Sequence, residues 1–265
     1  MIAYVEGIGV LGPGLRGWRA ARAVLAGEEA YRPERTAIPA SELLPPPERR
    51  RAGVPVRLAL AVGGEAFTSA GRDAAATATV FTSSSGDGEI LHRLCEALAT
   101  PQREVSPTQF MNSVHNAAAG YWSIATHSHE PSTSLCRHDT SFAAGLLESA
   151  AQIAVEERPV ALIAYDHPYV EPLHAARPIS GEFGVALVMT PHAGAHSLAA
   201  LELELAPGDA QESRLSDPGL EATRLSNPVA RSLPLLVALA RNAAETVVLK
   251  FAEGASLRAR IAPCR

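Results

Sequence analysis

The stretch that most constrains this chain runs over residues 131–152, PSTSLCRHDTSFAAGLLESAAQ. It reads as a short strand over 132–136, a tight polar elbow at Arg137, His138 and Asp139, and then a helix. Asp139 is expected to cap that helix, because a side-chain oxygen there can accept orphan N–H groups of the first turn. The helix is almost free of charge through Ala151, and Ala143, Ala144, Gly145, Ala150 and Ala151 are all small. A helix apolar or small on every side is a buried one, closely approached by its neighbours. Strand, elbow and buried helix form a frame in which many α/β enzymes hold a nucleophile, since the helix N-terminus stabilises negative charge.

Elements of both kinds flank this stretch. Residues 2–10 read as a strand, followed by a helix over 15–26. Residues 27–50, rich in Pro, Glu and Arg around Pro45, Pro46 and Pro47, read as a surface excursion, because proline suits neither helix interiors nor sheet ladders. Apolar residues at helical spacing place a helix over 56–69, and a β-branched run places a buried strand over 77–82. The loop Ser83-Ser84-Ser85-Gly86-Asp87-Gly88 could cradle a phosphate, but it lacks the full nucleotide-binding spacing and reads first as a structural turn. A helix follows over 89–98, a capped turn over 106–110, and a helix over 112–125 with Tyr121, Trp122 and Ile124 opposite small residues. Strands are predicted over 160–165, 182–190 and 198–205, with Asp166, His167, Pro168 and Tyr169 opening a polar loop after the first. Residues 206–227 look loop-like, a helix runs from Asn227 to about Arg241, and two terminal strands at 245–251 and 256–262 suggest a hairpin.

Strands alternating with helices predict an α/β layered fold with a largely parallel sheet. The 265 residues suffice for one sizeable core, divided here as a main unit over 1–195 and a C-terminal appendage over 196–265 packed on it. A net charge of −5 makes no electrostatic case for nucleic acid. No stretch approaches the roughly 20 apolar residues of a membrane helix. The apolar N-terminus lacks a basic region and reads as a strand rather than a signal peptide. Three scattered cysteines, Cys95, Cys136 and Cys264, form neither a disulfide framework nor a zinc pattern, which suits the cytoplasm.

Several segments together resemble the β-ketoacyl synthase family, whose members have the thiolase fold. They are Val5-Glu6-Gly7-Ile8-Gly9-Val10, the arginines at 49–51 leading the helix that follows, Thr82 to Gly88, Asn116-Ala117-Ala118-Ala119-Gly120, and Gly181-Glu182-Phe183-Gly184-Val185-Ala186-Leu187-Val188. They span about residues 1–190 in the family's order. The resemblance implies a thiolase-like layered fold, essentially the first half of a β-ketoacyl synthase with a short C-terminal α/β appendage.

It also places Asp139, or His138 if the register shifts by one, where the family has its nucleophilic cysteine; Cys136 lies before that point. The family's two histidines and lysine from the second half have no counterpart. Claisen condensation needs a soft thiolate as acyl carrier and donors for the developing enolate oxygen, so independent condensing activity is not expected. The expectation is a catalytically silent relative, a chain length factor of the kind found in bacterial aryl polyene clusters. Such a protein would pair with a full-length ketosynthase and shape the tunnel for an acyl chain carried by acyl carrier protein. The alternatives are a stand-alone acyl-thioester enzyme using Cys136, His138 and Asp139, and a homodimeric scaffold without acyl ligand.

The candidates for acyl tunnel or interface are His115, Asn116, Tyr121, Trp122, Cys136, His138 and Phe142. Asp139 is either a plain cap or a polar plug. Cys136 is expected to be a buried small hydrophobe, and Tyr121 and Trp122 are either core or interface. His127 and His129 form a His-x-His pair with too few further ligands for a metal site, and no cofactor is expected.

Overall fold

Gly7 and Gly9 in the first strand set the architecture. A Cβ on Gly9 would stand 2.0 Å from the Val62 carbonyl oxygen, and one on Gly7 2.1 Å from that of Ala66. The backbones of a strand and a helix therefore meet directly, as only glycine permits. The computed structural model describes residues 1–264. In chain order its elements are β1 (Ile2–Gly12), β2 (Leu15–Arg16), α1 (Trp18–Ala26), α2 (Pro46–Arg51), α3 (Val54–Ala70), β3 (Ala78–Thr82), α4 (Gly88–Ala99), α5 (Pro107–Asn112) and α6 (Ala117–Thr126). There follow β4 (Ser132–Leu135), α7 (Ser141–Glu156), β5 (Val160–Asp166), α8 (Leu173–Ala176), β6 (Phe183–Thr190), β7 (Ala199–Pro207), α9 (Pro218–Ser226), α10 (Leu233–Arg241), β8 (Glu245–Ala252) and β9 (Ala255–Pro263).

One sheet carries the order β4-β3-β5-β6-β1-β7-β9-β8, with β2 folded back on β1. The expectation of a largely parallel sheet is corrected. Strand β3 runs parallel to β4 and β5, and every other pairing is antiparallel. Parallel neighbours need a crossover, which α4–α6 and α7 supply around β3. Elsewhere the chain returns by loops or hairpins, and a strand–helix alternation does not reveal that.

Two cores flank the sheet. On one face α3 and α6 bring Leu58, Val62, Phe67 and Trp122 against Phe81 and Ile163. On the other, α1, α7 and α10 bury Leu25, Phe142, Leu146 and Leu236 with residues such as Val80, Leu187 and Leu257. Strands β7, β9 and β8 continue the same sheet, and α10 lies in the same core as α7. Along β7, Leu201 and Leu203 are buried while Glu202 and Glu204 face solvent and pair with Arg260.

Three local expectations change. Pro46 and Pro47 start α2 instead of breaking structure, since a first-turn proline loses no helical hydrogen bond. The supposedly loop-like 206–227 contains α9, capped by Asp217 Oδ1 on the Leu220 N–H at 2.9 Å. Asp166, expected to open a polar loop, is instead the fully buried end of β5.

Candidate functional site

The C-terminal ends of the parallel trio β4-β3-β5 converge beneath the elbow. After β4 come Cys136 and Arg137, then a single 3-10 turn over His138–Thr140, then α7. His138 sits at φ 49, the left-handed region. Ser141 closes this elbow: the Arg137 N–H donates to its Oγ at 2.9 Å, and its hydroxyl donates to the His138 carbonyl at 2.7 Å. Helix α7 has no side-chain cap, so the expected role of Asp139 as N-cap is corrected.

Asp139 points to two arginines instead. Arg177 Nη2 donates to its Oδ1 at 2.6 Å, and Arg231 Nη2 to its Oδ2 at 3.4 Å. His138 Nδ1 lies 3.4 Å from Oδ1. Partial burial pushes the Asp139 carboxyl up, but the Arg177 hydrogen bond and the charges of Arg231, His138 and Arg177 outweigh it, leaving the carboxyl below its ordinary value. A carboxylate so held is neither a base nor a ready nucleophile.

Arg177 also donates to Tyr169 Oη at 2.8 Å and to Ser84 Oγ at 3.2 Å. Ser84 N, Ser84 Oγ and Ser83 Oγ all donate to Asp166 Oδ1 at 2.9 Å. Asp166 Oδ2 is buried with no partner among the described residues. Burial is the main cause that pushes the Asp166 carboxyl up to about 6, against the hydrogen bonds from Ser84 and Ser83. The serine loop is thus engaged internally. Ser83 Oγ also accepts the Gly86 N–H at 3.0 Å, and Asp87 caps α4 on the Ile90 N–H at 3.0 Å. That is the structural turn, with its donors turned inward rather than toward a phosphate.

Cys136 is exposed, which corrects the expectation of a buried thiol: β4 is an edge strand and its end is open. Its Sγ donates to the Ser84 carbonyl at 3.2 Å. His138 is 71% exposed at its side chain and leans toward Asp139. The elbow residues are therefore brought together in space but not as a nucleophile with a base. Asp166, Arg177 and Arg231 escaped the sequence reading. An aspartate ending the apolar run VALIAYD was a usable signal for the first, whereas nothing local marks the two arginines.

The remaining candidates divide between surface and core. Trp122 packs in the α3–α6 core, 5.4 Å from the Phe67 ring and 6.3 Å from that of Phe81, and Phe142 is buried across the sheet. Both side chains are buried in the chain by itself, on opposite faces of the sheet. The Tyr121 hydroxyl donates to Asn112 Oδ1 at 3.1 Å, whose Nδ2 donates to the Arg51 carbonyl at 2.9 Å. His115 Nε2 lies 3.0 Å from the Ser83 carbonyl oxygen. Asn116 is exposed at the start of α6.

Around them runs an apolar surface: Phe110 is 67% exposed, Met111 52%, Val114 51% and Ile124 46%. It holds a cavity of about 280 Å³ between Met111, Val114, Tyr121 and Ile124. A more polar one of about 550 Å³, between His115, Asn116, Gly120, Ser123 and the serines of β4, adjoins the open edge of the sheet. His127 and His129 are exposed, and no cluster of three metal-ligating side chains occurs among the described residues. Nor is any helix among them long and apolar enough to cross a membrane.

Residues 19–250 match the family described as beta-ketoacyl synthase, N-terminal domain. No curated protein matches the sequence. Among solved structures, the fold matches a chain of the ketosynthase (ApeO) in complex with its chain length factor (ApeC) from Xenorhabdus doucetiae, with a TM-score of 0.74 and 20% identity over 98% of this chain and 99% of that one. It matches the ishigamide ketosynthase/chain length factor with a TM-score of 0.75 and 14% identity, both chains covered completely. A third match is AntDE:AntF, a type II polyketide synthase acyl-carrier protein in complex with its ketosynthase bound to the hexaketide. Its TM-score is 0.76 at 10% identity, over 99% of both chains. The layered sheet and its helices are thus the thiolase-like ketosynthase fold along the whole chain.

Proposed function

The chain belongs to the β-ketoacyl synthase N-terminal domain family, and from that premise we propose that it is a catalytically silent subunit, a chain length factor, that pairs with an active ketosynthase. The observation that carries this reading is the content of the elbow. Where the fold would present a nucleophile at the start of α7, Asp139 is clamped between Arg177 and Arg231. A guanidinium-bound carboxylate cannot take up an acyl group as a thioester, so condensation on this chain lacks its first step.

Pairing rests on the surface beside the elbow. The apolar side chains of α5 and α6 and the unpaired edge of β4 form one continuous face, of the kind that a partner covers. The partner would supply the thiolate and its donors, and the acyl chain would arrive on acyl carrier protein bound to it. Met111, Val114, Tyr121 and Ile124 would then form part of the wall along which the acyl chain lies. The solved structures named above, two of which include a chain length factor, support this reading at the level of fold. Aryl polyene synthesis in the cytoplasm is its finer form.

Co-expression with a candidate full-length ketosynthase, followed by size-exclusion chromatography, tests the pairing. One co-eluting peak with acyl-extending activity absent from this chain alone is expected. Separate peaks would remove the reading, and a stable dimer of this chain alone would favour the scaffold. The exposed Cys136 thiol favours a second reading, an acyl-thioester enzyme. Incubation with malonyl- or acyl-carrier protein, followed by mass spectrometry, decides it: turnover lost in Cys136→Ala would establish that activity.

A further inference from the structure

A cavity remote from the elbow and the α5–α6 face has no part in the reading above. It measures about 510 Å³ and lies between the end of α1, residues 213–217, α10 and the start of β8. Its apolar lining comes from the partly exposed side chains of Val24 and Leu215, backed by the buried Leu25, Leu220 and Val237.

The walls are preformed. The Ser213 N–H donates to the Val248 carbonyl at 2.9 Å, and Ser213 Oγ accepts the Val248 N–H at 2.9 Å. The Leu215 N–H donates to Glu221 Oε2 at 3.0 Å, and Asp217 is committed to capping α9. Arg22 Nε donates to the Ala240 carbonyl at 3.4 Å, tying α1 to α10. A volume of this size over an apolar floor, with walls held by hydrogen bonds, has the properties of a small-molecule site.

The mouth carries charge of both signs. Arg214 and Arg241 line it together with Glu28, Glu29 and Glu245. The ion pairs of this region run instead through Arg224, Glu221, Glu212 and Arg231, leaving those five outside any ion pair among the described residues. Helices α1 and α10 both end here in left-handed residues, Gly27 and Asn242, so their carbonyl ends add negative partial charge. A purely anionic ligand would meet the glutamates and carbonyl ends, and a purely cationic one the arginines. A molecule with both charges and an apolar body meets neither penalty.

We propose that this cavity binds an apolar zwitterion of amino-acid size, its side group on Val24 and Leu215, its carboxylate toward Arg214 and Arg241, and its ammonium toward the glutamates. The site is independent of the elbow and of any partner.

Calorimetric titration of the full chain with L-phenylalanine tests it, with 2-phenylethylamine and 3-phenylpropionate as single-charge controls. Saturable binding of phenylalanine is expected, weakened about tenfold when either charge is removed from the ligand and similarly in Arg241→Gln. Val237→Trp, which fills the floor, should abolish it. Arg241 is exposed, so its variant reads the site without disturbing the core. Absence of saturable binding, equal affinity for a single-charge control, or binding unchanged in Arg241→Gln would overturn the proposal.

Discussion

Arg177 Nη2 donates to Asp139 Oδ1 at 2.6 Å and so joins the segment after β5 to the turn that begins α7, 38 residues apart in sequence. The contact keeps Asp139 ionised and holds Arg177 over Ser84 and Tyr169.

Because the Asp139 carboxyl is held below its ordinary value of 3.8, its contribution to stability is present above that value and is lost as pH falls through the lower one. Asp139→Asn should therefore flatten the acid limb of a melting-temperature profile below about pH 4. At neutral pH the variant should lose about 1 kcal/mol, a modest figure because the pair is partly solvated. An unchanged acid limb would show that the ion pairs of Asp139 do not hold the elbow.

Asp166 has the opposite sign. Its carboxyl rises from 3.8 to about 6, so the folded state retains a proton that the unfolded chain has released. Stability attributable to this group falls as pH rises from about 4 to about 6 and stays lowered above that. Asp166→Asn keeps an oxygen for Ser83 and Ser84 and places a neutral NH₂ where Oδ2 has no partner. It should melt higher than the parent at pH 7 and about equally at pH 4, as scanning calorimetry would show.

A Cβ on Gly145 would stand 2.7 Å from Leu162 Cδ1 and 2.8 Å from Thr82 Cγ2. Gly145→Leu should destabilise by about 1–3 kcal/mol or more through overpacking. Urea unfolding measures this, and an unchanged midpoint would contradict the close approach of α7 to β3 and β5.

Trp122 and Ile124 separate core from surface on one helix. Trp122→Ala should cost about 3–5 kcal/mol in unfolding experiments, since the ring is buried against Phe67 and Phe81. Ile124→Arg, at a residue 46% exposed, should leave stability within about 0.5 kcal/mol. It should nevertheless weaken co-elution with a ketosynthase, which a silent surface would not do.

The helices were legible where their apolar spacing or capping residues were local, as in α3, α4 and α7. The antiparallel character of most of the sheet was not, because pairing direction depends on where a loop returns the chain. Asp217 and Pro218 open α9 with an ordinary cap and a first-turn proline, a signal obscured by the polar run around them. At the elbow, the residues were readable and their partners were not. Arg177 and Arg231 come from segments with no periodicity pointing them at Asp139.

What the sequence determined by itself was the strand-elbow-helix frame over 131–152, its small-residue packing and the family order of the segments around it. The frame and its packing follow from local propensity and from the spacing of apolar side chains, and the order from the resemblance of those segments to the family. Tertiary structure decided what the elbow contains: an aspartate bound to two arginines from distant segments, a serine closing the turn and a thiol left open at a sheet edge. Hydrogen bonds and ion pairs of that kind require the ends of β3, β4 and β5 to be brought side by side, and that proximity exists only in the folded chain.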